Sequence, residues 1–284
     1  MKEVTQEKYL GDFIHCLGNP ESVAATVTAR NGLTVSAIYE IKSVLEDCRV
    51  NVAGGLCAGL DIWELSVLPF LLNNCSTWVD IPKGVYKQLN DLQNMFYRFL
   101  FATAISTPIP ALLWETGGLT MENRIKIYKL SFYHHLVSLE QSSVASKIAS
   151  VAEVAGYPGL VQEYQALCTE LRLPKPQTVS KQSWNKLVKK TVTEANRVEL
   201  LKLIEEKYEK LEYENLKTET FSKKEYLKTM NMHDARLRFR IRCKMVKKIA
   251  LNFLSDPQYF LVPAVKEIVG AQDSDGRNVL KKII

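Results

Sequence analysis

Pro82-Lys83-Gly84-Val85-Tyr86-Lys87-Gln88-Leu89-Asn90-Asp91-Leu92-Gln93-Asn94-Met95-Phe96-Tyr97-Arg98-Phe99 is the stretch that decides the fold. Val85, Leu89, Leu92, Phe96 and Phe99 return every three or four residues, so about five helical turns carry one buried face. Pro82 opens the segment, because proline's fixed φ and missing N–H suit the first turn. Working outward, Leu60, Trp63, Val67 and Leu71 repeat the pattern upstream. Downstream, Thr107-Pro108 starts a short helix that ends at Gly117-Gly118. Thr120 caps another, predicted to bury Ile125, Tyr128, Phe132, Leu136 and Leu139, and Leu160, Tyr164, Leu167 and Leu171 continue the series.

Toward the N-terminus, Asn19-Pro20-Glu21 combines a capping side chain, a proline and an acid at the positive end of the helix dipole. That helix is predicted to pass through Val23 and Val27 and stop near Gly32, with a second carrying Ile38, Ile41 and Leu45. Residues 7–15 contain a short alternating stretch with one glycine in the middle, which suits a short strand or hairpin. Pro174-Lys175-Pro176 cannot stay helical and marks a boundary. Beyond it, residues 180–195 and 197–210 read as two helices, and Ser222-Lys223-Lys224-Glu225 has the form of a capping box. The expected architecture is mainly all-α. It comprises a strand or turn at 1–18, a helical domain at 19–173, a basic helical region at 174–257 and a tail at 258–284.

An apolar share of 46% with 24% charged residues describes a chain that buries a core rather than a disordered one. The longest apolar run, residues 67–72, is far too short to cross a bilayer, so no membrane partner is expected. Cys16, Cys48, Cys57, Cys75, Cys168 and Cys243 form no Cys-x-x-Cys pair, and several lie in apolar helical patterns. Residues 1–10 have no signal-peptide pattern. Six reduced thiols in an intracellular protein, nuclear or cytoplasmic, is the expectation.

The formal charge of +6 is unevenly placed: residues 223–248 hold ten cations against two acids. Within them, Ala235-Arg236-Leu237-Arg238-Phe239-Arg240-Ile241-Arg242-Cys243-Lys244-Met245 alternates literally with period two, as a strand with one wholly basic face would. Read as a helix capped by Asp234, it instead aligns Leu237, Ile241 and Met245 as a buried stripe flanked by arginines. The helix is the favoured reading. Either way Arg236, Arg238, Arg240, Arg242, Lys244, Lys247 and Lys248 gather in one element. Guanidinium groups clamp phosphates through paired N–H donors, so these residues are candidates for holding an RNA or DNA backbone without reading bases. The competing reading is that the arginines pair with acids of the same chain.

Enzyme signatures are absent. There is no Asp-Asp pair, no phosphate loop with its lysine, no Gly-x-Ser-x-Gly and no His-Glu-x-x-His. Ala53-Gly54-Gly55-Leu56-Cys57-Ala58-Gly59 lacks a lysine and a preceding strand, which points to close helix packing. His134 and His135 diverge by about 100° on a helix and cannot easily share a metal, so one should be partly buried and the other solvent-facing. Glu64 and Glu115, each beside a tryptophan, read as carboxylates in structural hydrogen bonds. No catalytic residue, metal or other cofactor is expected.

Several blocks in order carry a family resemblance. Lys8-Tyr9-Leu10-Gly11 resembles the primer-grip turn of reverse transcriptases, which makes Tyr9, Leu10 and Gly11 primer-grip-like. Gly54-Gly55, Gly59, Trp63-Glu64 and Leu71-Leu72-Asn73-Asn74 come next, followed by Gln93 and Phe96-Tyr97-Arg98. Thr107-Pro108 with the run from Ala111 to Gly117, then Met121, Arg124-Ile125, Lys129-Leu130 and His135-Leu136, complete the series. Together these blocks resemble the thumb and following helices of non-LTR, LINE-type retrotransposon reverse transcriptases. Asp234-Ala235-Arg236, Phe239, Arg242, Met245 and Asn252-Phe253 resemble a basic helix those polyproteins carry late, so the resemblance covers residues 7–257. It implies a part of an RNA-directed DNA polymerase that holds template and primer, with a palm chain as a further partner. The palm aspartates that bind two metal ions would precede residue 7 and are not supplied, so no activity of its own is expected. The Cys/His cluster expected after Asn252-Phe253 is also missing, since residues 258–284 contain neither residue type. A helical scaffold that binds other proteins is the alternative. Apolar surface around Trp63 or Trp114 is expected to be exposed, because a thumb normally packs on a palm.

Overall fold

Strands β1 (Gln6–Tyr9) and β2 (Asp12–His15) pair antiparallel, with Gln6 opposite His15 and Tyr9 opposite Asp12, so the expected hairpin forms. Among the described residues, everything after it in the computed structural model is helix and loop. The structure describes residues 5–9, 11–15, 18–47, 53–156, 159–207 and 221–243. The expectations for Leu10, Lys244, Lys247, Lys248 and residues 258–284 lie outside the described residues.

Helix α1 (Asn19–Asp47) runs unbroken where two helices were expected. Val23, Val27, Arg30, Thr34, Ile38, Ile41 and Leu45 form one buried stripe across the predicted break. Gly32 costs about 1 kcal/mol in a helix interior. Burying even one of those valines or leucines returns about 1.5–3 kcal/mol, so the tertiary face overrides the local stop signal. α2 (Gly55–Ile62) passes through a π-turn at Trp63–Val67 into the short α3 (Leu68–Leu71). Pro69, which lacks an N–H to continue the ladder, explains why the register changes there. Gly59 is a close-packing glycine as expected: a Cβ there would lie 2.6 Å from Leu100 Cδ1 and 3.0 Å from Leu45 Cδ1.

α4 (Lys83–Leu100) buries Val85, Leu89, Leu92 and Phe96 as predicted, and Leu100 in addition, while Phe99 is only half-buried. Trp63 stacks on Phe96 with ring centroids 4.4 Å apart. α5 (Ile109–Thr116) ends at Gly117, whose φ of 63° is a left-handed cap. α6 (Met121–Val137) begins at Thr120, whose hydroxyl accepts from Asn123 N. α7 (Val144–Ala155) and α8 (Leu160–Glu170) follow. α9 (Lys181–Lys207) is again one helix where two were expected, and α10 (Glu225–Thr229) and α11 (Met232–Arg242) complete the described body.

α6 is the spine. Its Met121 and Ile125 join the main core, Leu130 packs with Leu167, Trp184, Val188 and Val192, and Tyr133 and Leu136 pack with Val161 and Tyr164. Burial on several sides explains why the predicted single stripe fails: Tyr128 is exposed, and Phe132 and Leu139 are only half-buried. The main core also takes in Leu200 and Ile204 of α9 and Tyr226, Leu227, Phe239 and Cys243 from the last two helices, so it draws on both sides of Pro174. Trp63 and Trp114 are both 0% exposed, which corrects the expectation of open apolar surface around them. No helix among the described residues is long and apolar enough to cross a membrane.

Candidate nucleic-acid interface

The arginine-rich segment is a helix, not a strand, but it is capped and faced differently from the expectation. Asn231 is the N-cap: its side-chain oxygen accepts from Asp234 N at 2.9 Å, and its amide donates to the Asp234 carboxylate at 2.8 Å. Met232, Ala235, Phe239 and Cys243 form the buried stripe, while Leu237 and Ile241 are only half-buried. Asn231 starts the helix earlier, and the stripe moves with it because Phe239 finds Phe101, with ring centroids 4.8 Å apart. The arginines still flank the stripe, Arg236 and Arg240 on one side and Arg238 and Arg242 on the other.

Each of the four has a partner. Arg236 Nε donates to Leu100 O at 2.8 Å and Arg240 Nη2 donates to Ala102 O, so both serve the carbonyls left open where α4 ends. Arg238 is exposed, its guanidinium carbon 5.3 Å from the centre of the Tyr226 ring, a cation–π contact. Arg242 Nε donates to Glu115 Oε1 at 2.8 Å.

Glu115, wholly buried, is the structural carboxylate the sequence suggested, and it also accepts from the Tyr226 hydroxyl at 2.8 Å. Burial and the neighbouring carboxylate push the Tyr226 phenol well above its ordinary range. Lys224 N donates to Glu115 O, and Phe221 lies against Trp114 with ring centroids 5.3 Å apart. Residues 221–243 are thus a strap seated on the C-terminal end of α5. Ser222 does not form the predicted capping box, because the short helix starts later, with Lys224 as its N-cap and no side-chain bond.

Several other acids of the body are paired. Arg124 holds Glu64 through two bonds of 2.9 and 2.5 Å, Lys223 holds Asp61 at 2.7 Å, and buried Lys129 pairs with Glu163. His134 is buried with Nε2 2.8 Å from Val179 O, and His135 is exposed, as expected. Cys57, Cys75, Cys168 and Cys243 form no disulfide, and no group of metal-binding residues occurs among the described residues.

At the hairpin, Tyr9 is exposed and Gly11 takes a φ of 90° that favours glycine. Buried Arg30 fixes this turn. It donates to Gly11 O at 3.2 Å, Leu71 O at 3.3 Å and Asn73 O at 2.8 Å, and pairs with Asp12 at 2.5 Å.

A second basic surface escaped the sequence reading. Between Arg172 and Lys190 there are six cations and no acid. Lys175, Lys181, Lys186, Lys189 and Lys190 are all exposed. The signal was in the sequence, but the lysines are spread over a loop and a helix rather than in one run. Comparison with family models, curated proteins and solved structures finds no match to this chain.

Proposed function

We propose that this chain is a holding module for nucleic-acid backbone, of the kind non-LTR reverse transcriptases carry beyond their palm, without catalysis of its own. The observation that carries the reading is the arginine helix fixed to the surface of the body. Arg238 stands outward, and Arg240 gives one of its five N–H donors to Ala102 O. Guanidinium groups whose stems are already held lose little rotamer entropy when they take a phosphate. Lack of catalysis fits the carboxylates: Asp12, Asp61, Glu64, Glu115 and Glu163 are each committed to a cation in a different place. Two-metal phosphoryl transfer needs carboxylates that converge.

The test is fluorescence anisotropy of the full chain with a labelled RNA–DNA duplex across a salt series. Three or four phosphate contacts by the arginine helix should contribute about −3 to the log–log salt slope, at roughly 0.9 per contact. Arg238→Glu should weaken binding to every sequence alike. Salt-independent binding, or none at all, would overturn the reading.

One observation favours a second reading, a scaffold for other proteins. α7 has no buried residue, and Val144, Ile148, Val151 and Val154 are 61–89% exposed along it. Salt-insensitive capture of a partner chain, lost on Ile148→Asp, would point there.

A further inference from the structure

We propose that the outward face of the first half of α9 is a second phosphate-backbone site, separate from the arginine helix. It would take nucleic acid through Lys186, Lys189 and Lys190 without touching bases, with Lys181 exposed at the start of the same helix. That the polyanion is nucleic acid rests on the function proposed above; the site itself does not.

Trp184, Val188 and Val192 put the apolar side of α9 against α6, with Trp184 Nε1 donating to Leu130 O at 2.9 Å. Lys186, Lys189 and Lys190, at i, i+3 and i+4, therefore share the opposite face. Among the described residues, none of the four lysine ammonium groups has a hydrogen bond or ion pair, in contrast to the arginines of α11. The acids nearest in sequence are already engaged: Glu170 pairs with Lys126 at 2.7 Å and Glu194 with Arg197 at 2.7 Å. Lys181 also stands in the first helical turn, where the helix dipole disfavours a cation and no acid is present to offset it.

The face is the outside of a long helix. From Lys186 to Lys190 it covers about 6 Å of axis, over which B-form duplex presents roughly three or four phosphates. Tyr164 and Trp184, the aromatic residues of α8 and α9, are both 0% exposed, so neither of these rings can stack on an unpaired base. A membrane surface fits less well. An interfacial helix inserts its apolar side into lipid, and here that side is buried against α6.

The experiment compares the full chain with Lys186→Glu/Lys189→Glu/Lys190→Glu, with the corresponding triple Gln variant, and with Arg238→Glu. The probes are a 24-base-pair RNA–DNA duplex, phosphatidylserine vesicles and polyglutamate. Both triple variants should keep the parent's helical circular dichroism, since the replaced groups are unpaired. Removing three contacts at roughly 0.9 each should flatten the salt slope by about 2–3. Affinity for the duplex at 100 mM salt should fall at least tenfold, with the Gln variant following in the same direction. An unchanged slope in the Gln variant overturns the site, whatever the Glu variant does. Equal or tighter binding of vesicles or polyglutamate, abolished by the same lysines, overturns nucleic acid as its ligand. If Arg238→Glu alone weakens duplex binding, the arginine helix stands and this site fails. If only the lysine variants do, the reverse holds.

Discussion

Replacing Glu115 by Gln tests whether the strap of residues 221–243 is held as described. The carboxylate is 0% exposed and accepts from the Tyr226 hydroxyl and Arg242 Nε, each at 2.8 Å. Breaking a buried ion pair costs about 3–5 kcal/mol when the remaining charge is sealed from water. The Arg242 side chain is 28% exposed, so its head can recover part of its hydration. The amide also keeps an oxygen for Tyr226. Both effects lower the expected loss to about 2 kcal/mol, still well above a typical exposed pair at 0–1 kcal/mol. Arg242→Met should cost more, about 3 kcal/mol, because it leaves the carboxylate as the uncompensated buried charge. Urea unfolding of the two single variants and the double variant measures this, and the double should cost less than the sum by about 1–3 kcal/mol. A loss below about 0.5 kcal/mol for Glu115→Gln, or strict additivity in the cycle, would refute the claim that this carboxylate anchors the strap.

Gly117→Ala should be at least as damaging, by about 2–3 kcal/mol in the same assay. The position has a φ of 63°, and the new Cβ would lie 2.8 Å from Lys223 N and 2.9 Å from Ser222 C, both backbone atoms of the strap. Burial pushes the Cys75 thiol up to about 12 and the Cys168 thiol up to about 11, from the ordinary thiol value of 9.0. These thiols stay protonated in the folded chain while the unfolded chain ionises, so stability is full below about pH 9. It should then fall by up to about 1.4 kcal/mol per pH unit through the window up to the folded value of Cys75, and by less for the half-buried Cys168. Melting temperatures from pH 8 to 11 check this, and Cys75→Ala should flatten the decline. An unchanged profile in that variant counts against the assignment.

The helical class was legible because α4 repeats its apolar residues over many turns and buries only one side. α6 was misread for the opposite reason. Its Lys129, Asn123 and His134 are buried with partners on α8, α9 and the loop after Pro176, and no periodicity announces that. Asn196 shows the same limit. It looks like a break near the middle of α9, yet its side chain accepts from Thr120 N and Asn123 Nδ2, each at 3.0 Å, and donates to Gly118 O at 3.3 Å. A polar residue committed to another helix's start cannot be told from a helix stop without the tertiary contact. In the arginine segment the residue types were read correctly, but their partners, the carbonyls ending α4 and a glutamate 127 positions away, were not.

That separation has a consequence on the ribosome. Glu115 and the rest of the α5 socket emerge long before Arg242, and at roughly 5–20 residues per second the delay is on the order of 6–25 s. Throughout it the nascent chain carries a carboxylate without its guanidinium and Trp114 without Phe221. Closure of the body therefore waits for one of the last described helices to be made. The interval gives a chaperone, or a second nascent copy offering its own strap, time to reach the open socket first.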